Sequence, residues 1–357
     1  MIGRFAALAS AAALGTLGLG LTAAPAHAEG TKIFKAWMAA CDNVAVCSAY
    51  GFQKGEEFDF GGFVMIHRQA GPDAPLQVSL VLQPPVDDPA PEGETTVAAV
   101  LDGEPLDGFG KLTARPDDNG AWRVRLTPAQ SQGFVDAVRN GDTLALTRGG
   151  DEVGAFSLAG ITATLLWFDE TQDRLGTTSA AIRKGPKTPA AAPAAPIVVR
   201  GPATSQAGLP TAVPRSITQR SEIKDCDVDF GAASDLTIAR LSPGTLLWAV
   251  PCSRGAYNTI FAMLLTDEKG GQVRRAVFPN TPGAGEEQAG ELMNISYDPE
   301  TRTLSNFDKA RGIGDCGAAS DWVWTGKAFV LTSQVMMPDC RGVSLDDWPS
   351  VWKAQVK

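Results

Sequence analysis

Residues that could do chemistry concentrate between Lys309 and Phe329. Cys316 sits there inside a glycine-rich turn, Asp315 lies beside it, and Trp322 and Trp324 follow. Cys316 could be a nucleophile, a metal ligand or half of a disulfide. A thiol nucleophile needs a base to make it a thiolate, and beyond residue 28 His67 is the single imidazole in the chain. His67 falls in the period-2 segment 63–68, in a different part of the sequence, where a structural role suits it better. Zinc would want close pairs such as C-x-x-C with histidines, whereas Cys41, Cys47, Cys226, Cys252, Cys316 and Cys340 are spaced more widely.

The first 28 residues bear on that choice. Arg4 makes a short basic start, an uncharged Ala/Leu/Gly-rich run follows to about Ala24, and Ala26-His27-Ala28 fits a small-x-small cleavage pattern. This reads as a secretory signal peptide over 1–28, with an uncleaved anchor as the alternative, and no later segment is apolar enough to span a membrane. An exported chain with an even number of cysteines is expected to carry disulfides. Losing Arg4 with the leader takes the formal net charge from −9 to −10, which disfavours binding to a phosphate backbone. Nucleic acid is not an expected partner, and the expected location is periplasmic.

Between Lys184 and Arg215 lie seven prolines and eight alanines, without one aromatic or acidic residue. Such a stretch cannot bury enough apolar surface to offset the cost of ordering it. It reads as a semi-extended linker, placed at 184–221, that could reach on the order of 100 Å in polyproline form. The linker divides the chain into a domain over 29–183 and another over 222–357, each large enough for its own core.

The first of these shows short alternating segments at 63–68, 77–83, 95–101 and 121–126, with turn dipeptides at Asp102-Gly103 and Asn119-Gly120. Thr127-Pro128 predicts the start of a helix. Ser157 is expected to cap a second one that stops at Gly176. The second domain reads as more purely β, with eight short runs between 236 and 331 and hairpin turns at 297–301 and 325–327. The fold class expected is mainly β with a minor α part: two antiparallel β-rich domains, each a sandwich, meander or open barrel. By domain count Cys41–Cys47 form a local bridge. Of the three pairings open to the other four, Cys226–Cys252 and Cys316–Cys340 are favoured because each pair is near in sequence.

Three further patterns admit sharper readings. Gly312-Ile313-Gly314-Asp315-Cys316-Gly317 satisfies G-x-G-x-x-G, but a nucleotide turn needs an apolar strand before it and a helix after it; charged residues precede it and a Trp-rich strand follows. Asp225-Cys226-Asp227-Val228-Asp229 alternates carboxylates like a calcium loop, yet the glycine comes one place late at Gly231, and Leu236 stands where a bidentate glutamate belongs. Trp322 and Trp324 share one face of a strand, which suits core packing more than a sugar platform. No catalytic residue, cofactor or metal ligand is therefore assigned. The candidate binding loop comprises Arg311, Gly312, Gly314, Asp315 and Gly317, with Trp322 and Trp324.

Trp37-x-x-x-Cys41-Asp42-Asn43-x-x-x-Cys47, Pro251-Cys252-x-x-Gly255-Ala256-Tyr257-Asn258 and Lys309-x-Arg311-Gly312-x-Gly314-Asp315-Cys316-Gly317 resemble the signatures of the uncharacterised bacterial family called domain of unknown function 1176. The resemblance implies an exported protein with six cysteines and supplies no activity. The first domain is also similar to the invasion-associated locus B family, in the Trp-to-Cys opening and in Phe156-Ser157-Leu158-x-Gly160. The function expected is a non-catalytic periplasmic envelope protein that binds a protein, a peptide or a cell-wall component. A carboxylate-dependent periplasmic hydrolase and an inhibitor of wall-degrading enzymes are the alternatives.

Overall fold

The computed structural model of the protein describes residues 30–55, 61–84, 92–226, 235–281 and 288–357. The leader and the centre of the Asp225–Leu236 loop, residues 227–234, lie outside the described residues. Antiparallel strands dominate and helices are few, in keeping with the alternating segments of the sequence.

The first region is an eleven-stranded antiparallel sheet that runs from Thr31–Phe34 at one edge to Asp151–Ser157 at the other. It curls until Gln53, just past the strand Cys47–Phe52, bridges Phe156 in the last strand. The inward side chains, among them Trp37, Val64, Leu80, Val124 and Phe156, form one core with two helices. Helix α1, Pro128–Val138, starts as predicted, with a capping box in which Thr127 and Gln130 each satisfy the other's backbone amide. Helix α2, Ile161–Thr171, differs from its prediction. Its N-cap is Gly160, because the chain passes so close to Phe34 that a Cβ there would sit 1.8 Å from a carbonyl oxygen. Ser157 instead ends a strand, and the helix stops before Gly176.

The second region packs two five-stranded antiparallel sheets face to face. One is built on Thr245–Arg254 and Thr259–Thr266, the other on Thr303–Lys309, Gly317–Trp324 and Phe329–Met337. Leu247, Met263, Leu304, Trp322, Trp324 and Phe329 fill the space between them. Disulfides join Cys41 to Cys47, Cys226 to Cys252 and Cys316 to Cys340, and no described cysteine is free.

The Pro/Ala-rich segment is fastened along the second region. Ile197–Val198 pairs in parallel with Gln355–Val356, the Gly201 amide donates to the Trp324 carbonyl at 2.8 Å, and Gln206 and Thr204 bond the backbone of Arg240. Ile217 near its end is buried against Trp248 and its neighbours. These contacts supply ordering that composition alone does not.

Candidate functional site: the stapled groove between the two regions

The two regions meet through an apolar cluster of their own. Met38, Tyr50, Phe63, Val81 and Ala121 come from the curled sheet, and Cys316, Met337, Val343 and Trp348 come from the second region. Burying each large side chain here contributes about 1.5–3 kcal/mol. The phenol of Tyr50 donates to the Asp347 carbonyl, and burial, with Asp347 nearby, pushes its pKa far above the ordinary value.

Polar contacts fix the rotation of one region against the other. Asn43 donates its amide to the Lys353 carbonyl at 3.0 Å and accepts the Lys353 amide at 2.7 Å, while the Ser350 hydroxyl donates to Asp42 at 2.9 Å. Asp42 also accepts the amides of Val44 and Val46, so the Cys41–Cys47 turn is itself the latch. Arg123, only 4% exposed, bridges Asp117 at 3.0 Å in its own region and Asp347 at 2.5 Å in the other. Gln83 donates to the Gly342 carbonyl, and Arg341 donates to the Gln53 carbonyl at 2.6 Å while lying over the Phe52 ring.

Beside the cluster opens a groove of about 680 Å³, with Phe63, Val81 and Ala121 among its lining on one side and Phe307, Ile313 and Leu345 on the other. The loop between the strands Thr303–Lys309 and Gly317–Trp324 forms one rim. It is braced at every turn. Arg311 holds Asp315 through two nitrogens and donates to the Cys340 carbonyl at 2.9 Å, Asp315 accepts the Gly342 amide at 2.7 Å, and the Cys316–Cys340 bond closes the ring. From outside, Tyr257 and Asn258 donate to the carbonyls of Ala310 and Lys309. Gly317 is required: at φ +133° a Cβ would lie 1.9 Å from the Asp308 carbonyl oxygen. The bracing holds Ile313 outward at 66% exposure, with Leu345 at 37% across the groove.

On another face of the junction lies a more polar cavity of about 560 Å³, lined by residues that include His67, Asp321, Arg200 and Lys353. The Gln69 amide nitrogen lies 3.0 Å from His67 Nε2, which leaves the ring proton on Nδ1 to donate to the Ser48 hydroxyl at 2.9 Å. Burial lowers the His67 pKa and keeps the ring neutral. Burial also raises the pKa values of Asp42 and Asp308, though Asp42 keeps its three donors.

The structure brings Arg311, Gly312, Gly314, Asp315 and Gly317 together as one braced loop, and Gly314 and Asp315 line the groove. It places Trp322 and Trp324 elsewhere. Both are buried in the second region's core, with the Trp322 indole donating to the Pro279 carbonyl at 2.8 Å, so neither offers a platform at the rim. The G-x-G-x-x-G spacing lies between two strands, without the helix a nucleotide turn requires. Among the described residues, no group of three or more His, Cys, Asp and Glu is placed to hold a metal ion. Sequence reasoning missed Arg123, Asp117, Arg341, Ile313 and Leu345. The signal available for the first two was a short one, an Asp117-Asp118-Asn119-Gly120 turn six residues ahead of a cation in an otherwise alternating strand.

A family described as "Protein of unknown function (DUF1176)" matches residues 31–355. The uncharacterized protein YpfG of Escherichia coli (strain K12) is 30% identical over 353 residues, covering 92% of this chain and 93% of that protein. A crystal structure of invasion associated protein b from Bartonella henselae matches 40% of this chain and 98% of its own, at 16% identity and a TM-score of 0.29.

Proposed function

The chain belongs to the DUF1176 family of proteins of unknown function, and we propose that it is a non-catalytic periplasmic protein that binds another envelope protein or a peptide in the stapled groove. One observation carries the reading: a rim tied by a disulfide, an Arg–Asp pair and two flanking donors holds an apolar side chain, Ile313, out into solvent. Bracing of that kind lowers the ordering cost of binding, and apolar anchors over a polar surround are the anatomy of a docking site. The carboxylates lining the groove favour binding over hydrolysis. Asp117 is taken up by the Asn119 and Ala121 amides and Arg123, Asp315 by Arg311 and Gly342, and Asp347 by Arg123.

The periplasmic address rests on the leader pattern, the three disulfides and the absence, among the described residues, of a helix long and apolar enough to cross a membrane. Division into two domains at 184–221 rests on the separate cores of the two regions. Affinity capture from a periplasmic extract tests the function. A protein retained by the wild type and lost with Ile313→Glu supports it, and identical retention by both, or by neither, contradicts it.

A further inference from the structure

The curl of the first region satisfies one edge of its sheet and leaves the other bare. At the edge formed by Asp151–Ser157, Gln53 bridges Phe156 and the Lys54 amide donates to the Ala155 carbonyl at 2.8 Å. The opposite edge strand, Thr31–Phe34, pairs on one side with Trp37–Cys41 and with no strand on its other side among the described residues. Its register fixes which groups point outward. Phe34 and Trp37 close a two-residue hairpin, so Phe34 and Lys32 exchange hydrogen bonds with the neighbouring strand, and the amides and carbonyls of Thr31 and Ile33 face away from it. The Ile33 residue stands 69% exposed.

A pocket of about 460 Å³ opens beside this edge. Lys32 and Phe34 line it from the strand, Leu166 and Trp167 from helix α2, and Leu175 from just beyond the helix, while no residue of Trp37–Cys41 takes part. The Phe34 and Trp167 rings lie 5.8 Å apart and bring aromatic surface to it. Successive side chains of a strand point to opposite faces, so Lys32 and Phe34 mark the pocket face of the edge. A strand laid against Thr31 and Ile33 carries every second side chain over that same face. The charged residues of the pocket are Lys32, Arg183 and Glu170, two cations against one carboxylate in a chain whose net charge is −9. A second copy of this chain fits the edge poorly. The two-fold register that uses every outward group of both copies sets Lys32 opposite the other copy's Lys32, and like charges directly opposite destabilise a strand pair.

We propose that the edge strand Thr31–Phe34 takes up an extended acidic peptide of another protein as an added strand, with one apolar side chain in the pocket beside helix α2 and a carboxylate two residues along toward Lys32 and Arg183. In this mode of recognition the backbone groups supply affinity and the pocket selects the side chain. The site shares no lining residue with the groove rimmed by Ile313 and does not depend on that groove's function.

Panning random peptides displayed on phage against the immobilised protein tests the proposal, with fluorescence anisotropy of the enriched peptides on variants. Ile33→Pro removes an outward N–H without touching the ladder to Trp37–Cys41, a substitution that an edge strand tolerates. Ile33→Ala keeps that N–H and removes only an exposed side chain. Enriched peptides with an apolar residue and an acidic one two places apart, bound about tenfold more weakly by Ile33→Pro and by Leu166→Glu but unchanged by Ile33→Ala and Ile313→Glu, support it. Hydrogen exchange on the wild type reads the same contact without any substitution, since bound peptide should slow exchange at the Thr31 and Ile33 amides. No enriched peptide, peptides held equally by Ile33→Pro or lost only with Ile313→Glu, or unchanged exchange at those two amides overturns the proposal. Self-association of the wild type that Ile33→Pro abolishes also overturns it, because the edge then belongs to a second copy.

Discussion

The two regions hold their functional edges in different ways. In the first, one curled sheet and two helices enclose a single core, and the Cys41–Cys47 bridge spans a turn that the strands on either side already pair across. In the second, two sheets share a core, and the Cys316–Cys340 bridge ties a loop to a segment that has no strand pairing of its own between Met337 and Ser350. A bridge laid over existing pairing restrains little in the native state that hydrogen bonds do not. A bridge that substitutes for pairing adds the covalent tie to a loop that is otherwise held by the Arg311–Asp315 pair and by the donors Tyr257 and Asn258. The junction joins these two strategies, with the pre-paired turn supplying the latch to Lys353 and the stapled loop supplying the rim.

That contrast can be broken first at Arg123. Arg123→Ala leaves Asp117 and Asp347 buried without their common cation, and removing one partner of such a network costs about 3–5 kcal/mol. Chemical denaturation should show the loss, and hydrogen exchange should show it as early opening of both regions at the junction. Exchange confined to the first region would mean that the junction does not couple the two.

The bridges sharpen the comparison next. From loop length alone, losing Cys316–Cys340, 24 residues apart, should cost about 3.5 kcal/mol and losing Cys41–Cys47, 6 apart, about 2.4 kcal/mol. Paired Cys→Ser variants should differ more in kind than in amount. Without the first bridge, the Ile313 loop should gain mobility by NMR relaxation while Tyr257 and Asn258 lose their contacts. Without the second, the turn should keep its shape. Equal mobility in both variants would erase the distinction.

Tyr50→Phe is a finer probe. It removes the hydroxyl bonded to the Asp347 carbonyl and should cost about 1 kcal/mol, read from the denaturation midpoint.

The smallest expected effect is on pH dependence at His67. Burial holds its folded pKa below the ordinary 6.5, so folding opposes protonation. The contribution is fully present above pH 6.5 and is lost as pH falls from there through the folded value. His67→Gln should flatten the stability profile over that window and leave it unchanged above; an unchanged slope below pH 6.5 would show that the ring is not held neutral.

Much of the fold was legible locally. The helix start at Thr127-Pro128 and the turn at Asp102-Gly103, both of whose residues have positive φ, depend on neighbours in sequence, and both appear where predicted; the capping box with Gln130 is what the structure adds. Helix α2 was misplaced because its start is set by the close passage of Phe34, more than a hundred residues away in the chain. The strands Ile197–Val198 and Gln355–Val356 escaped notice because each is two residues long and exists through the other. The stapled loop was legible as a glycine-rich turn with a cysteine. Its groove was not, since Phe63, Val81, Arg123 and Leu345 meet only when the regions dock. The family signatures prove to be junction parts: Asp42 and Asn43 form the latch, and Tyr257 and Asn258 the buttress of the rim.

The central claim, that the braced rim presents a binding surface, is tested most directly by photo-crosslinking in living cells from a benzoylphenylalanine placed at position 313, with position 327 as an exposed control. The account predicts a discrete adduct from 313 that disappears when Cys316 and Cys340 are both replaced by serine, and none from 327. No adduct from 313, or the same adducts from both positions, would contradict it.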